Sequence, residues 1–341
     1  MKREDHQEAQ RIVAMRAVRK ACELCQSVRD TLVSAEALAK KDKSPVTVAD
    51  FGAQAIIIDE LTRAYPEVLV VGEEDASALC NPTNAAIKDR VVEQVRRVDS
   101  SLDEPRILQA IDRGAHDGGS RGRFWTLDPI DGTKGFLRGE QYAIALALIE
   151  EGQVTLGVLG CPNLPWVEGG RGPTTGEGQA CGRGCLFVAS RDRGAFLYPL
   201  QGGGGTQVRV TEVTDPARAS FCESVESGHS SHGDAARIAA LLGVTAPPFR
   251  IDSQCKYAAV ARGDASIYLR LPTSEDYREK IWDHAAGWMV VKEAGGEVSD
   301  VRGRPLDFAA GRTLSRNQGV VATNGRLHDQ VIAVVRETLR I

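Results

Sequence analysis

The sequence feature that most constrains the fold is a pair of aspartates around a proline, Asp128-Pro129-Ile130-Asp131-Gly132-Thr133. Pro129 fixes its own φ and biases Asp128 toward an extended backbone, so both carboxylates can be directed at one hard cation. Gly132 permits close backbone approach, and Thr133 offers a hydroxyl and an N–H group where a helix could begin. Such a helix start suits a phosphate. The stretch predicts metal ligands beside a phosphate cradle, although an acidic turn would explain it equally well in isolation.

Acidic residues also follow a short apolar strand pattern and open a helix near the end of the chain. Glu73, Glu74 and Asp75 come directly after the apolar residues 68–71. Loops at strand ends often carry chemistry, so we interpret these acids as metal-ligand candidates rather than as a solvated loop. Asp283 stands where the N-cap of a helix belongs. As a metal ligand it would close a cleft from the second half of the chain.

Two further polar residues receive structural interpretations. Asp50 stands just before a helical pattern that begins at Phe51, and spacing alone favours an N-cap role for it. His284 is interpreted as a structural hydrogen-bonding residue rather than as a ligand.

The length of 341 residues predicts two lobes with a shared cleft, because a single core rarely grows to this size. Apolar residues at helical spacing from Val13 to Leu32 predict a long amphipathic helix. Residues 142–149 and 154–159 predict a β-hairpin, and short strands after it should complete an antiparallel sheet. The glycine run at 202–205 resembles a joint, so we expect a first lobe at 1–205 and a second at 206–341.

Strand and helix patterns alternate in the second lobe, which is typical of a parallel α/β arrangement. Ligands bind beyond the carboxyl ends of such strands. Four candidate ligand-binding residues fall there, namely His229, Ser253, Lys256 and Arg270. Each alone could be a helix cap or a surface ion pair, but their common placement favours an anion-binding site.

Composition excludes several other classes of protein. The net charge of −4 argues against a nucleic-acid polymer as the main partner. No apolar run approaches the ~20 residues that a membrane span requires. The N-terminus has mixed charge and does not resemble a targeting peptide, although a removed presequence stays open. Eight cysteines are too few for a disulfide framework, so we expect a soluble intracellular protein, in the cytoplasm or in an organelle stroma or matrix.

Cys161 and Cys185 form one candidate redox pair. They lie on consecutive predicted strands, and antiparallel pairing could bring them within disulfide reach. Two buried free thiols are the alternative and the more frequent case.

Three stretches in this order resemble the signature of the lithium-sensitive, magnesium-dependent inositol monophosphatase superfamily. They are Gly72-Glu73-Glu74-Asp75, the central motif, and Trp282-Asp283-His284-Ala285-Ala286-Gly287. Within that superfamily, four further stretches resemble the 3′(2′),5′-bisphosphate nucleotidases: residues 44–50, 228–232, 252–257 and 268–272. The resemblance implies a layered αβαβα sandwich, in which an antiparallel-sheet lobe precedes a smaller, mostly parallel α/β lobe. It also implies removal of the 3′-phosphate of adenosine 3′,5′-bisphosphate, commonly also of its sulfated form, and inhibition by Li⁺.

The resemblance further implies a set of metal ligands and a catalytic pair. Glu73, Asp128 and the carbonyl of Ile130 would hold one Mg²⁺, and Asp128, Asp131 and Asp283 a second. A third, weaker ion would lie near Asp50 and Glu73. Thr133, paired with Asp50, would orient and deprotonate the attacking water.

For the substrate, the resemblance implies a small-molecule nucleotide bisphosphate. The N–H groups of Gly132 and Thr133 would cradle the phosphate, and Asp283 would touch the ribose. His229, Ser253, Lys256 and Arg270 would hold the nucleotide and its 5′-phosphate. An inositol polyphosphate 1-phosphatase or inositol monophosphatase would use the same metal ligands without this clamp, and a non-catalytic adenosine bisphosphate sensor is a further alternative. Monomer and homodimer both stay open.

Overall fold

Two β-sheets alternate with three helical layers in the computed structural model, which describes residues 2–32, 44–166, 182–225, 232–274 and 276–341. The described helices are α1 (Lys2–Leu32), α2 (Ser44–Ala64), α3 (Ser77–Cys80), α4 (Ala85–Val98), α5 (Glu104–Asp112), α6 (Thr133–Arg138), α7 (His232–Leu241), α8 (Cys255–Arg262), α9 (Ala285–Glu293) and α10 (His328–Leu339). The described strands are β1 (Val70–Gly72), β2 (Arg123–Asp131), β3 (Ala143–Glu150), β4 (Gln153–Trp166), β5 (Gly182–Ser190), β6 (Ala195–Pro199), β7 (Thr206–Val208), β8 (Phe221–Glu223), β9 (Phe249–Arg250), β10 (Ile267–Arg270), β11 (Glu297–Ser299) and β12 (Val320–Thr323).

The first outer layer is the predicted long helix α1 together with α2. Apolar side chains recur along one face of α1 and are buried against α2 and the larger sheet, including Ala17, Ala21, Leu24 and Val28. Helix α2 begins earlier than predicted, because a proline is tolerated in the first helical turn and Pro45 stands there. Asp50 therefore lies inside α2, and its predicted N-cap role is wrong.

The larger sheet contains seven strands in chain order, with β1 parallel to β2 and every other neighbour antiparallel. The predicted hairpin is confirmed as β3 and β4. Its turn residues Glu151 and Gly152 both have positive φ, at 49° and 72°, as two-residue hairpin turns require. The sheet extends through β7, just beyond residue 205.

The middle layer consists of α8 and α9, which pack against both sheets. Helices of the second half of the chain thus bury the open face of the first sheet. A third cluster of apolar residues lies between the smaller sheet and the outer helices α7 and α10. The predicted layered αβαβα class is confirmed by this stacking.

The smaller sheet has the order β11-β12-β10-β8-β9. Strand β8 is parallel to β9 and β10, as the alternating pattern predicts. Strand β12 is antiparallel to both β10 and β11, so the sheet is mixed rather than mostly parallel. Among the helices of the described ranges, none is long and apolar enough to cross a membrane.

Helices α8 and α9 approach closely because small residues separate them. A Cβ atom placed on Gly287 would lie 2.3 Å from Cδ2 of the Tyr257 ring. That ring is almost completely buried, so it has little room to move.

We predict that Gly287→Ala lowers the free energy of unfolding by about 1–3 kcal/mol, the usual cost of overpacking a filled core. Urea unfolding followed by circular dichroism measures this change. Gly204→Ala is a matched control, since a Cβ at Gly204 meets no described atom within 4 Å. Equal stability of the two variants would contradict the close packing of α8 on α9.

Candidate active site

An irregularity in β2 directs both aspartates of the central motif to one cavity. Asp128 pairs with Ala145 of β3 and Asp131 pairs with Ala143, so three residue steps on β2 match two on β3. In a regular strand, residues three apart point to opposite faces of the sheet. The bulge removes this alternation, and both carboxylates line the same cavity.

The backbone that follows Asp131 requires glycine at two positions. Gly132 has φ 89°, and a Cβ there would lie 2.9 Å from Cβ of Ser253. A Cβ on Gly135 would lie 2.1 Å from the carbonyl oxygen of Gln141. The turn is therefore pressed against the second half of the chain, and Thr133 begins α6 at the cavity wall.

The cavity has a volume of about 280 Å³, and most of the predicted site residues line it. Those that line it are Glu73, Asp128, Ile130, Asp131, Gly132, Thr133, Ser253, Lys256, Arg270 and Asp283. Asp50 is buried nearby in α2, and His229 lies outside the described residues.

The carboxyl groups are crowded enough to disturb their own ionisation. Burial and the negative charge of Glu73 raise the pKa of Asp128 well above its usual value. Burial and the charge of Asp283 raise the pKa of Glu73 to about 7. Burial also raises the pKa of Asp283 to about 6, although the positive charge of Arg270 opposes it. Burial and the negative charges of Glu74 and Glu73 likewise raise the pKa of Asp50 well above its usual value.

These residues fit a divalent cation. The Oδ1 atom of Asp128 is buried and has no hydrogen-bond partner among the residues that the structure describes. A buried acceptor without a donor is costly, and carboxylate oxygens are the ligands that Mg²⁺ prefers. A bound cation would satisfy this oxygen and relieve the repulsion between Asp128, Glu73 and Asp283.

A second group of possible ligands is an ion-pair network instead. Ligand atoms of Glu279, Asp283 and His284 lie within 4.8 Å of one another. However, Nε of Arg270 lies 2.8 Å from Oε2 of Glu279, and His284 bonds both Glu279 (3.1 Å) and the Tyr257 hydroxyl (2.7 Å). Although burial opposes it, the hydrogen bond from His284 helps to lower the pKa of Glu279 to about 2. His284 thus makes the structural hydrogen bonds that the sequence analysis predicts.

Two of the cations that line the cavity, Arg270 and Lys256, differ in their surroundings. Arg270 is engaged by Glu279 and lies 3.8 Å from Oδ2 of Asp283, so part of its guanidinium is already occupied. Lys256 is buried, with Nζ 3.5 Å from the carbonyl oxygen of Ile251. Burial lowers the pKa of Lys256. An anion in the cavity would stabilise its charged form.

Two glutamines that the sequence analysis did not select hold the acidic loops in place. Gln54 of α2 donates to the carbonyl of Glu74 (2.7 Å) and accepts from its N–H (3.1 Å). Gln254 donates to the carbonyl of Trp282 (2.8 Å), accepts from the N–H of Gly287 (3.0 Å), and gives its own backbone N–H to Asp131. The sequence feature that could have identified Gln54 is a single amide side chain within an otherwise apolar helical run.

Cys161 and Cys185 are direct cross-strand partners in the β4–β5 pair, so their predicted adjacency is confirmed. Both are free, fully buried thiols. Burial raises the pKa of Cys185 to about 12 and that of Cys161 well above its usual value, which disfavours the reactive thiolate. A disulfide between them stays a prediction.

The layered fold and the carboxylate-lined cavity fit a phosphatase that binds divalent cations, and comparisons with known proteins show the family to which this chain belongs. Residues 6–340 match the pattern of the inositol monophosphatase family, and this chain belongs to that family. Solved structures agree in fold: Thermotoga maritima IMPase covers 100% of this chain and 99% of its own at TM-score 0.60 and 21% identity. An inositol monophosphatase from Anabaena (Nostoc) sp. gives TM-score 0.61 at 17% identity, with 97% of both chains covered.

Curated relatives match at higher identity over nearly the whole chain. The 3′(2′),5′-bisphosphate nucleotidase of Emericella nidulans is 44% identical, covering 98% of this chain and 99% of that protein. The proteins of the same name from Schizosaccharomyces pombe and Oryza sativa are each 45% identical. They cover 95% and 97% of this chain, and 94% and 95% of their own lengths.

The crowded carboxylates predict an unusual pH dependence for the metal-free protein. The folded-state pKa of Asp283 is about 6, above the ordinary value of 3.8, so the unfolded chain releases this proton first as the pH rises. Its stabilising contribution is complete below 3.8 and is lost as the pH passes through about 6. We expect the Tm in EDTA to fall across this range, and to fall less in Asp283→Asn.

Differential scanning calorimetry of the two proteins at several pH values measures this difference. Saturating Mg²⁺ should remove most of the fall in the unsubstituted protein, because the ion keeps the carboxylates charged. Parallel Tm profiles for the two proteins in EDTA would contradict the account.

Proposed function

We propose that this chain is a Mg²⁺-dependent 3′(2′),5′-bisphosphate nucleotidase. Its reaction would be hydrolysis of adenosine 3′,5′-bisphosphate to AMP and phosphate, and of the 5′-phosphosulfate form to adenosine 5′-phosphosulfate. The names of the relatives support this assignment. The structural observation that carries it is one cavity in which Asp128 and Asp131 face Asp283, Ser253 and Lys256 from the other half of the chain.

The metal ligands in this proposal come from both proposed lobes, which comprise residues 1–205 and 206–341. Glu73, Asp128 and the carbonyl of Ile130 would hold one Mg²⁺, and Asp128, Asp131 and Asp283 a second. A weaker third ion would lie beside Glu73 and Asp50. When bound, the ions would neutralise phosphoryl charge and lower the pKa of a water molecule.

Asp50 and Thr133 are the proposed catalytic pair. Helix α2, which carries Asp50, packs against α6, which begins with Thr133. The raised pKa of Asp50 makes its carboxylate a stronger proton acceptor than an ordinary aspartate, and the Thr133 hydroxyl would orient the attacking water. The N–H groups of Gly132 and Thr133 would hold the phosphate at the start of α6.

Residues of the second lobe would bind the rest of the nucleotide. Lys256 provides a buried point charge at the cavity, and Ser253 lies beside it with φ 65°, a strained conformation that clusters at functional sites. Arg270 and His229 would complete the 5′-phosphate contacts, and Asp283 would touch the ribose. We further propose a soluble intracellular enzyme, either monomeric or homodimeric, that needs neither a nucleic-acid polymer nor a membrane.

One observation favours a second candidate function. Because Glu279 already engages Arg270, less free positive charge is available for a second phosphate of the substrate. An inositol monophosphatase would need less of this charge, because its substrate carries a single phosphate. The acidic cavity argues against a non-catalytic nucleotide sensor, because a sensor would gain nothing from crowded carboxylates.

The direct test measures phosphate release from adenosine 3′,5′-bisphosphate and from inositol 1-phosphate, side by side with Mg²⁺. We expect the nucleotide to be preferred and its hydrolysis to be lost on adding Li⁺. Preference for the inositol ester would retain the metal site but overturn the nucleotide clamp.

Lys256→Met tests the clamp itself. We expect KM for adenosine 3′,5′-bisphosphate to rise about 10–100-fold, since a charged hydrogen bond contributes about 1.5–3 kcal/mol. Lys292→Met is a matched control, because Lys292 lies on α9 and pairs with Glu297 (2.7 Å) outside the cavity. An unchanged KM in Lys256→Met would remove this residue from the binding site.

A further inference from the structure

Arg312, in the segment between β11 and β12, holds the loop that carries Glu73. Its Nη2 donates to the carbonyl of Gly72 (2.6 Å), the residue directly before Glu73. Its Nη1 donates to the carbonyl of His116 (2.9 Å) and lies 3.5 Å from that of Gly114. The guanidinium of Arg312, from the second half of the chain, therefore binds backbone carbonyls at the end of β1 and in the neighbouring segment 114–116.

The same side chain also contacts the segment that carries Asp283. The guanidinium carbon of Arg312 lies 4.9 Å from the ring centroid of Trp282, the residue directly before Asp283. The backbone carbonyl of Arg312 accepts from the N–H of Ile281 (3.1 Å). A β-bridge between Lys280 and Thr313 continues this connection. Arg312 is thus fixed to the Asp283 segment by its backbone and to the Glu73 loop by its side chain.

Arg312 therefore contacts the residues that directly precede two proposed metal ligands, Glu73 and Asp283, which come from different proposed lobes. Arginine suits this position, because its planar guanidinium can donate to several carbonyls in one plane while its face lies over an aromatic ring. Lysine offers a single ammonium and cannot reproduce that geometry.

We propose that Arg312 is a positioning residue that sets the separation of Glu73 and Asp283, and thereby the affinity of the cavity for divalent cations. The inference rests on the proposed metal site but not on the identity of the substrate. Residues that orient metal ligands without touching the ion typically change metal affinity about 10–100-fold when they are replaced.

The test is a titration of the full chain with Mn²⁺, followed by the electron paramagnetic resonance signal of the free ion. We expect Arg312→Lys to raise the Kd for Mn²⁺ about 10–100-fold. The Tm in EDTA should stay above the titration temperature, which separates lost positioning from lost folding. Arg316→Lys is the matched control: this exposed arginine pairs with Asp307 (2.8 Å), and its replacement should leave the Kd unchanged.

A folded Arg312→Lys protein with the Mn²⁺ affinity of the unsubstituted chain would overturn the inference and leave the proposed function intact. Conversely, tight Mn²⁺ binding without phosphate release from any ester would overturn the proposed function alone. If Arg312→Lys does not fold, Trp282→Phe decides, because phenylalanine keeps an aromatic ring at this position but weakens the cation–π contact. We then expect a rise in Kd of about two- to fivefold, and an unchanged Kd would overturn the inference.

Discussion

Repulsion among carboxylates crowded into one cavity is the constraint on which the rest of this structure depends. Asp128, Glu73 and Asp283 come from separate elements and meet in a cavity where burial raises the pKa of each. Such a group of acids opposes folding unless other contacts enforce it and a cation relieves it. Three features hold these acids in place: the bulge in β2, the side-chain amide of Gln54 and the side-chain amide of Gln254.

The layered fold explains how acids from the two halves of the chain can meet. Helices α8 and α9 belong to the second half of the chain and pack on both sheets, so one face of the larger sheet is covered by the other half of the chain. Asp131 accepts the backbone N–H of Gln254 just before α8 begins, and Gly132 presses against Ser253. The acidic turn of the first half of the chain is therefore built against a helix of the second half, and the same contacts form the site and hold the two halves together.

The sequence predicts much of this architecture because its strongest signals are local. Periodicity gives α1 and the β3–β4 hairpin, acids at a strand end give Glu73, and the aspartate pair around Pro129 gives Asp128. Other features depend on distant partners and leave no local trace. The ion pair between Arg270 and Glu279 and the antiparallel pairing of β12 with β10 depend on how the chain folds in three dimensions, so no local sequence pattern predicts them. The N-cap interpretation of Asp50 failed for a local reason, because Pro45 is tolerated in the first helical turn and lets α2 begin earlier.

The central claim is that acids from both lobes form one divalent-cation site. Anomalous diffraction from crystals grown with Mn²⁺, recorded at the manganese absorption edge, tests it most directly. The account predicts peaks between Asp128, Asp131 and Asp283, with Glu73 among the ligands. A cavity without a peak, or a peak held by Glu279 and His284 instead, would contradict the claim.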